Sequence, residues 1–279
     1  MAHADDGVGG QVEVWNGAGG RGWAEMQEVT DRLLQPLADV LVEAVADGTG
    51  GRVLDVGCGA GATTSAIARR LGTGGECTGI DVSEPLVEAA RSRAARDGVP
   101  IHVIRADAQR HQFEPAGFDM VVSRFGVMFF DDFVEAFANL RTATREGGEL
   151  RCIVWRSAAE NPFMTTAEQA APPDLAIPRR EADGPGQFAL ADEQRVRSIL
   201  DGSGWGDITI DRIDVACALP ETDLVRYLTH LGPLGRALAH MDEPERARVV
   251  AAVRPAFDPF VAGSDVRFTA ACWMIAAKG

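Results

Sequence analysis

Three glycines on alternate positions, Gly57, Gly59 and Gly61, constrain the fold of this chain more than any other feature. An apolar run over residues 53–56 directly precedes them, and a helix-forming run over residues 63–71 follows. This order predicts a buried strand, a tight turn and a helix start, which together open a nucleotide-binding βαβ unit. A side chain at these glycines would hold a ligand away from the backbone N–H groups that the turn presents.

Two acidic residues indicate which nucleoside the turn binds. Asp55 lies within the first predicted strand, two residues before Gly57, and Asp81 ends a second predicted strand over residues 77–80. A carboxylate at the end of that strand suits a ribose, because it accepts hydrogen bonds from both hydroxyls. Residues 57–62 also satisfy the looser pattern G-x-G-x-x-A of a dinucleotide-binding turn, so the glycines by themselves leave NAD open.

A longer resemblance extends beyond the glycines. Val-Leu-Asp-Val-Gly-Cys-Gly-Ala-Gly at 53–61, with Gly-Ile-Asp-Val-Ser at 79–83, resembles the first two motifs of the class I S-adenosylmethionine-dependent methyltransferases. Within that family's small-molecule branch, the chain is most similar to the ubiquinone/menaquinone-biosynthesis-like group. The resemblance covers about residues 50–155. Three further motifs follow in the family's order and spacing, at residues 106–108, 118–123 and 145–150.

The resemblance implies an α/β fold with a Rossmann-like sheet of seven strands in the order 3-2-1-4-5-7-6, of which strand seven is antiparallel. Between the core strands, residues 156–190 hold five of the fourteen prolines and show no clear period, which is typical of a lid or binding loop. We therefore expect one methyltransferase domain over residues 1–279. Its predicted parts are an N-terminal lid helix (11–47), a cofactor-binding core (50–155) and two helical or loop lid insertions (156–190 and 220–262).

The resemblance also assigns roles to residues of each motif. Asp107 is expected to accept a hydrogen bond from the adenine amino group, and the Ala108 backbone N–H to reach a ring nitrogen. Trp15 and Trp23 are expected either to pack on the cofactor or to fasten the N-terminal helix. The implied cofactor is S-adenosyl-L-methionine, with S-adenosyl-L-homocysteine as product. Its predicted contacts are Trp15, Trp23, Asp55, Gly57, Gly59, Gly61, Asp81, Val82, Asp107, Ala108, Ser123, Arg124 and Gly126.

The acceptor is expected at residues 124–130, which leave the carboxyl end of the fourth predicted strand, where open α/β sheets bind ligands. Aromatic faces there attract a sulfonium cation, and an apolar wall excludes competing water. Arg124 is expected to bind the methionine carboxylate or an acidic acceptor, or else to pair with Asp131 or Asp132. The predicted acceptor contacts are Met128, Phe129 and Trp155.

A general base adds about 10²–10⁴-fold when the acceptor is a phenol, a hydroxyl or an activated carbon. His230, with Tyr227 close to it in the second insertion, is the preferred candidate, although a lone histidine is more often structural or exposed. Asn161-Pro162-Phe163 resembles the N-P-P-Y/F motif of nucleic-acid amino methyltransferases. It lacks one proline and follows strand five rather than strand four, so we do not assign it that role.

Composition limits the partners. The net charge is −14, from 27 basic and 41 acidic residues, which argues against nucleic acid and against an anionic membrane surface. The five cysteines are scattered without a C-x-x-C pair, so we expect neither a metal site nor a disulfide framework. The N-terminus has no hydrophobic signal core and no 18-residue apolar stretch occurs, which predicts a cytoplasmic protein.

The sequence therefore predicts methyl transfer from S-adenosylmethionine to a small, apolar or aromatic metabolite. Two alternatives stay open: a methyltransferase-like protein that uses the cofactor for a cyclisation or elimination, and an NAD-dependent Rossmann oxidoreductase. The identity of the acceptor, the element that is methylated and the oligomeric state do not follow from the sequence.

Overall fold

The structure of the chain is a computed structural model that describes residues 10–45, 51–177 and 184–279. Residues 46–50, where the predicted lid helix meets the predicted core, and 178–183, within the first predicted insertion, lie outside the described residues. The described strands are β1 (Arg52–Val56), β2 (Glu76–Asp81), β3 (His102–Arg105), β4 (Phe118–Arg124), β5 (Thr144–Trp155), β6 (Gly206–Pro220), β7 (Val261–Ala262) and β8 (Asp265–Lys278).

These strands form one sheet in the order β3-β2-β1-β4-β5-β8-β6, with the two-residue strand β7 paired to β8. Strands β1 to β5 are parallel to their neighbours among themselves, whereas β8 is antiparallel to both β5 and β6. Since β8 corresponds to the predicted seventh strand, the predicted strand order and its antiparallel member are confirmed. Strand β7 is a short addition that the sequence pattern did not indicate.

Helices cover both faces of this sheet. The α-helices are α1 (Gln11–Asn16), α2 (Ala18–Glu25), α3 (Gln27–Glu43), α4 (Ala62–Leu71), α5 (Glu84–Asp97), α6 (Phe133–Ala143), α7 (Pro162–Ala170), α8 (Glu193–Gly202), α9 (Glu221–His230), α10 (Gly232–Leu238) and α11 (Glu243–Val253). Right-handed crossovers that leave the centre of the sheet in opposite directions put α4 and α5 on one face and α6 on the other. No helix among the described residues has the length and apolarity needed to cross a bilayer.

Strand β1 is buried on both sides because helices lie above and below it. Val53, Leu54 and Val56 are almost fully buried, and a continuous apolar run of this kind is typical of a central parallel strand. The carboxyl ends of β1, β2 and β4 meet at the same edge of the sheet, since the three strands are parallel neighbours. The glycine turn, Asp81 and Arg124 therefore lie along one edge.

The N-terminal region differs from the single lid helix that the sequence predicts. Three helices replace it, with breaks at Gly17 and Met26, whose backbones are not helical. Four glycines between residues 17 and 22 lower the helix propensity of this stretch, which explains the break before α2. Helix α3 carries the apolar periodicity seen in the sequence, and Leu33, Leu37 and Leu41 are fully buried along it.

The first predicted insertion contains a helix, α7, that its composition did not reveal. Pro162 begins α7, a position where its missing N–H costs nothing. Asn161 is almost fully buried, and its side-chain amide donates to the Ala271 carbonyl and accepts from the Ala271 N–H, both at 2.9 Å. This pair of bonds fastens the start of α7 to β8. The Asn161 amide therefore has a structural role, in agreement with the decision not to assign it to catalysis.

Candidate active site

The three glycines of the turn after β1 differ in what surrounds them. Gly57 has φ +67, and a Cβ there would lie 2.5 Å from the Cα of Gly126, whereas a Cβ at Gly61 would lie 3.0 Å from the Ala90 side chain of α5. At Gly59, with φ +55, a Cβ would meet no atom within 4 Å. Gly57 and Gly61 are thus required by packing. Gly59 leaves open space over the backbone, where a ligand can approach closely.

Asp81, at the end of β2, faces this open space with its carboxylate held in place. The Gly59 N–H donates to Oδ2 and the Ser83 N–H donates to Oδ1, both at 2.9 Å. Burial raises the pKa of Asp81, and the hydrogen bonds from the Ser83 and Gly59 backbones oppose that rise. Each carboxylate oxygen keeps a second lone pair, so the group can accept two further hydroxyl hydrogen bonds, as a ribose requires.

The loop after β3 lies beside Asp81, because β3 pairs with β2 in parallel. Asp107 accepts a hydrogen bond from the Gln109 N–H at 2.9 Å, and the Asn139 side chain of α6 donates to the Ala108 carbonyl at 2.9 Å. The loop is therefore fixed by α6, with Ala108 buried and Asp107 partly exposed. Asp107 and Ala108 stay available as the predicted adenine contacts.

Asp55 lies below the turn and not within it. Its side chain is 1% exposed, and the Thr64 hydroxyl of α4 donates to Oδ2 at 2.6 Å. Burial raises the pKa of Asp55 to about 6, although the Thr64 hydrogen bond and the Arg124 charge act in the opposite direction. This placement corrects the prediction of a direct cofactor contact, because the carboxylate bonds the start of α4 and has almost no surface. Asp55 instead ties β1 to the helix that follows the glycines.

We expect Asp55→Asn to change the pH dependence of stability. The folded pKa lies above the usual carboxyl value of about 3.9, so the stability that Asp55 contributes is complete below about pH 4 and is lost as pH rises through about 6. The asparagine variant lacks this loss. Relative to the native chain, its free energy of unfolding should therefore gain roughly 2–3 kcal/mol between pH 4 and pH 7.5. Urea titrations across this range measure the difference.

The exposed carboxyl Asp39 offers a control for the removal of one negative charge, through the Asp39→Asn variant. If the free energy of unfolding of Asp55→Asn followed that of the native chain in parallel across this pH range, the pKa of Asp55 would not be raised.

A buried side chain, that of Ser123, holds the end of β4 against the glycine turn. The Ser123 hydroxyl, which is fully buried, donates to the Val56 carbonyl at 2.7 Å and accepts from the N–H groups of Gly126 and Val127 at 3.1 and 3.2 Å. Ser123 is thereby corrected from a cofactor contact to a residue that positions the turn. Gly126 also has a packing role, since it lies against Gly57.

Phe125 adopts a backbone conformation that is uncommon for its residue type. Its φ is +71, in the left-handed region, and its N–H donates to the Ile153 carbonyl at 2.9 Å. The ring stacks on Trp155 with centroids 4.5 Å apart and planes 2° from parallel. Such strain persists where the surroundings impose it, and it is concentrated at functional sites. The strained residue connects Arg124 to Gly126 and so sets the position of both.

Arg124 brings a positive charge to the same edge of the sheet. Its Nε donates to the Thr63 hydroxyl at 3.1 Å. Burial lowers the pKa of Arg124, while the charges of Asp55 and Asp31 favour the protonated form. The predicted alternative, an ion pair with Asp131 or Asp132, is not among the ion pairs that the described residues form. The guanidinium is therefore available for an anionic group of a ligand.

The three predicted acceptor contacts separate into two groups. Phe129 is partly exposed, and its ring meets that of Trp15 at 5.0 Å in an edge-to-face arrangement. Met128 and Trp155 are 1% and 4% exposed, and the Met128 carbonyl accepts from the Gly186 N–H. The structure corrects these two to core positions, because neighbouring segments cover them. Trp23 packs on Trp15 with centroids 6.3 Å apart.

An aromatic cluster, defined by Phe163, Tyr227, Phe257, Phe260 and Phe268, packs where α7 and α9 approach β8. Phe163 stacks on Phe268 at 4.1 Å and lies 5.7 Å from the Tyr227 ring. The Tyr227 hydroxyl has a weak partner, the Met164 sulfur at 3.7 Å. Burial raises the pKa of Tyr227 well above its usual value, and the nearby Cys217 adds to the effect. The phenol therefore stays protonated at neutral pH.

Cys217 links this cluster to the positive charge of the site. Its thiol lies near enough to Tyr227 and to Arg124 to influence the pKa of each. Burial raises the pKa of Cys217 to about 11, although Arg124 acts to lower it. The buried Cys217 thiol is therefore close both to the phenol of the aromatic cluster and to the guanidinium at the end of β4.

His230 is not placed with these residues. Its Nδ1 lies 2.9 Å from the Arg226 carbonyl and from the Thr229 hydroxyl, and its Nε2 faces Glu25 at 3.9 Å. The ring is 37% exposed at the last residue of α9, while the inward side of that helix is formed by Leu224 and Leu228. The structure thus places the preferred base at a partly exposed position, with Nδ1 bonded within its own helix, and its catalytic role stays a prediction.

Several supporting residues escaped the sequence prediction. Thr63 and Thr64 follow Gly61 after one residue, so their hydroxyl pattern was visible in the sequence. Arg93 of α5 donates to the Ala60 carbonyl at 2.8 Å and pairs with Asp31 of α3. These contacts join the turn to the N-terminal helices, and no local sequence pattern indicates them because the partners of Arg93 are 33 and 62 residues away.

Comparison with known proteins supplies a family for this site. A family model described as a methyltransferase domain matches residues 53–148. An uncharacterized protein of Mycobacterium tuberculosis is 28% identical over 221 residues, which are 77% of this chain and 76% of that protein. Aklanonic acid methyltransferase DauC of Streptomyces sp. (strain C5) is 34% identical over 116 residues, 41% of this chain and 53% of that enzyme.

A third relative, demethylmenaquinone methyltransferase of Staphylococcus haemolyticus, is 32% identical over 104 residues, 37% of this chain and 43% of that enzyme. The matches to the named methyltransferases thus span about half of their lengths.

Solved structures agree on the fold. The YcgJ protein of Bacillus subtilis has a TM-score of 0.56 at 16% identity, over 86% of this chain and 97% of that one. Geranyl diphosphate methyltransferase in complex with S-adenosylmethionine has a TM-score of 0.53 at 16% identity, over 99% of this chain and 92% of that one. At these identities the likeness concerns the fold alone, and the family assignment depends on the matched domain and the sequence relatives.

Proposed function

Because this chain belongs to the class I S-adenosylmethionine-dependent methyltransferases, we propose that it methylates a small, apolar or aromatic metabolite. It is a methyltransferase, and its cofactor is S-adenosylmethionine, not the NAD that the glycine pattern left open. The acceptor is the part that we infer from the residues around the strand ends.

The residues present fit the cofactor. Gly59 leaves a cradle that a Cβ would fill, and the oriented carboxylate of Asp81 suits the ribose hydroxyls. Asp107 and Ala108 would hold the adenine, and Arg124 would hold the methionine carboxylate or an acidic group of the acceptor. When bound, the cofactor supplies an electrophilic methyl group on a positively charged sulfur.

The observation that supports the acceptor proposal is the aromatic cluster around Tyr227. Its five rings contribute one polar atom, the Tyr227 hydroxyl, whose described partner is the weakly accepting Met164 sulfur. Phe163, Phe257 and Phe268 are core positions, as Met128 and Trp155 are. An acceptor would therefore meet this cluster at the partly exposed Tyr227 and Phe260. Such a surface favours an apolar or aromatic body with a single polar group over a phosphorylated or strongly cationic one. Such a polar group would give the buried hydroxyl a better partner than the sulfur.

The protein's own contribution to the transfer is to align the acceptor and to exclude water. Correct placement alone lowers a barrier by about 7–11 kcal/mol in well-oriented systems. Tyr227 is suited to donate a hydrogen bond to an oxygen of the acceptor and not to remove its proton, because burial raises the pKa of the phenol. The His230 ring is bonded to the Arg226 carbonyl of its own helix, so we do not assign it as the base. We infer that positioning, more than proton removal, carries the reaction.

A panel of acceptors tests this proposal. We expect S-adenosylhomocysteine to form with hydroxylated aromatic and apolar acceptors, and not with phosphorylated sugars or polyamines. Tyr227→Phe should lower kcat/KM for a hydroxylated aromatic about tenfold, the effect of one lost hydrogen bond, while S-adenosylhomocysteine affinity stays unchanged. Turnover restricted to the charged acceptors would contradict the proposal. Conversion of an acceptor without release of S-adenosylhomocysteine would instead support cyclisation or elimination.

A further inference from the structure

The turn that follows Asp81 is bonded directly to the N-terminal helices. The Ser83 hydroxyl donates to the Trp15 carbonyl at 2.6 Å. The Asn16 side chain donates to the Val82 carbonyl at 3.1 Å and accepts from the Glu84 N–H at 3.0 Å. Three hydrogen bonds therefore join the end of α1 to the three residues after the ribose-facing acid.

Ser83 is bonded both to Asp81 and to helix α1. Its N–H donates to Oδ1 of Asp81, its hydroxyl holds Trp15, and its side chain is fully buried. Helix α2 lies against the same residue, since a Cβ at Gly20 would be 2.5 Å from the Ser83 hydroxyl oxygen. A shift of the N-terminal helices would thus leave a buried hydroxyl without its acceptor, which is costly.

The same helices extend across the acceptor side. The Trp15 ring meets Phe129, just beyond the end of β4. At the other side of α2, a Cβ at Gly22 would lie 2.4 Å from the His230 carbonyl of α9. Helices α1 and α2 therefore run from the ribose side of the site to the helix that carries Tyr227.

We propose that Ser83 and Asn16 form a latch that holds α1 and α2 over the site and so retains the cofactor. This inference rests on the proposed function, because it assumes that a nucleoside occupies Asp81. Both residues are positioning residues: they act through Asp81 and through Trp15. The latch keeps the Trp15 and Phe129 rings beside the ligand. Because the ligand contacts the N-terminal helices in the latched arrangement, its binding in turn stabilises that arrangement.

Two variants and one control test the latch. Ser83→Ala removes the hydroxyl and keeps the N–H to Asp81. Asn16→Ala removes the other two bonds, together with the Asn16 bond to the Val12 carbonyl within α1, from a half-buried position. Ser203→Ala is the control, because its buried hydroxyl also donates to a backbone carbonyl, that of Ile199 at 2.7 Å in α8. Calorimetry gives the Kd of S-adenosylhomocysteine. Mass spectrometry follows tryptic cleavage after the exposed Arg21 in α2, with and without that ligand.

We expect S-adenosylhomocysteine to slow cleavage after Arg21 at least tenfold in the native chain and less than twofold in either latch variant at equal occupancy. The Kd should rise about 5- to 30-fold in both latch variants, in keeping with the loss of a buried hydrogen bond, and less than twofold in Ser203→Ala. Protection and Kd equal to those of the native chain in both variants would overturn the latch while the cofactor assignment stands. A native chain that does not bind S-adenosylhomocysteine would refute the proposed function itself.

Discussion

Replacing Asp81 with alanine is expected to weaken S-adenosylhomocysteine binding by about 10²–10⁴-fold and to leave the sheet folded. The carboxylate is positioned to accept hydrogen bonds from both ribose hydroxyls, and bonds to a charged acceptor are each worth about 1.5–3 kcal/mol. The substitution also deprives the N–H groups of Gly59 and Ser83 of their acceptor. Water can replace that acceptor in the free protein, whereas a bound nucleoside would exclude it.

A second carboxyl provides a control for this substitution. Asp119 lies at the amino end of β4, on the opposite edge of the sheet, where it accepts from the Arg52 N–H at 2.7 Å and pairs with Arg145. Asp119→Ala therefore removes a strand-end carboxylate bonded to a backbone N–H without touching the site. We expect its Kd to stay within twofold of the native value.

Isothermal titration of both variants, with circular dichroism to establish folding, measures the contrast between Asp81 and Asp119. Equal affinities for the two variants would remove the basis for placing a ribose at Asp81, and the latch at Ser83 would lose its premise with it.

The order of the sheet could be predicted because its determinants are local. An apolar run, a glycine turn and a helix-forming run recur along the core, and right-handed crossovers then leave few arrangements for the strands. Strand β1 and the turn at Gly57 follow this logic. Helix α7 could not be predicted in this way, because its start depends on the bonds between Asn161 and Ala271, residues that are 110 positions apart.

Site residues were predicted less well where their role depends on the direction in which the side chain points. Tyr227 and His230 are three positions apart on α9, so the sequence predicted that they lie close together. The Tyr227 side chain packs toward Phe163, whereas the His230 ring turns back to the Arg226 carbonyl at the end of the helix. The sequence shows which residues a helix carries, and the packing around its last turn decides where each one points.

Ser123 and Phe125 illustrate the other limit. Both belong to the motif region at the end of β4, and their neighbours suggested ligand contacts. The Ser123 hydroxyl makes all of its hydrogen bonds with the backbone, to the Val56 carbonyl and to two N–H groups. Phe125 adopts a left-handed backbone conformation, which is uncommon for phenylalanine. Their role is to fix Arg124 and Gly126 relative to the turn, and it follows only from the contact between β1 and β4.

Alanine should affect mainly stability at Gly57 and mainly ligand affinity at Gly59. We expect Gly57→Ala to lower the free energy of unfolding by about 3–5 kcal/mol, since the strain of a positive φ adds to a clash with backbone. The new Cβ would lie 2.5 Å from the Cα of Gly126. Gly126 is itself closely packed, because a Cβ built there would lie 2.4 Å from the Val56 carbonyl oxygen.

Gly59→Ala should instead cost only about 1–2 kcal/mol of stability, the price of the left-handed backbone. Its Cβ meets no protein atom within 4 Å and would fill the cradle above the turn. S-adenosylhomocysteine affinity should therefore fall at least 30-fold in a protein that remains folded. Gly98→Ala is the matched control, because Gly98 has φ +64 and open surroundings at the end of α5, away from the site.

Urea unfolding and calorimetry on these three variants separate packing from ligand contact. The stability difference between Gly57→Ala and Gly98→Ala isolates the clash with Gly126, because both variants carry the same backbone strain. The affinity difference between Gly59→Ala and Gly98→Ala isolates the cradle for the same reason. If Gly59→Ala bound the ligand as tightly as Gly98→Ala, the open space above Gly59 would not be where the cofactor meets the backbone, and the nucleoside would have to lie elsewhere along the strand ends.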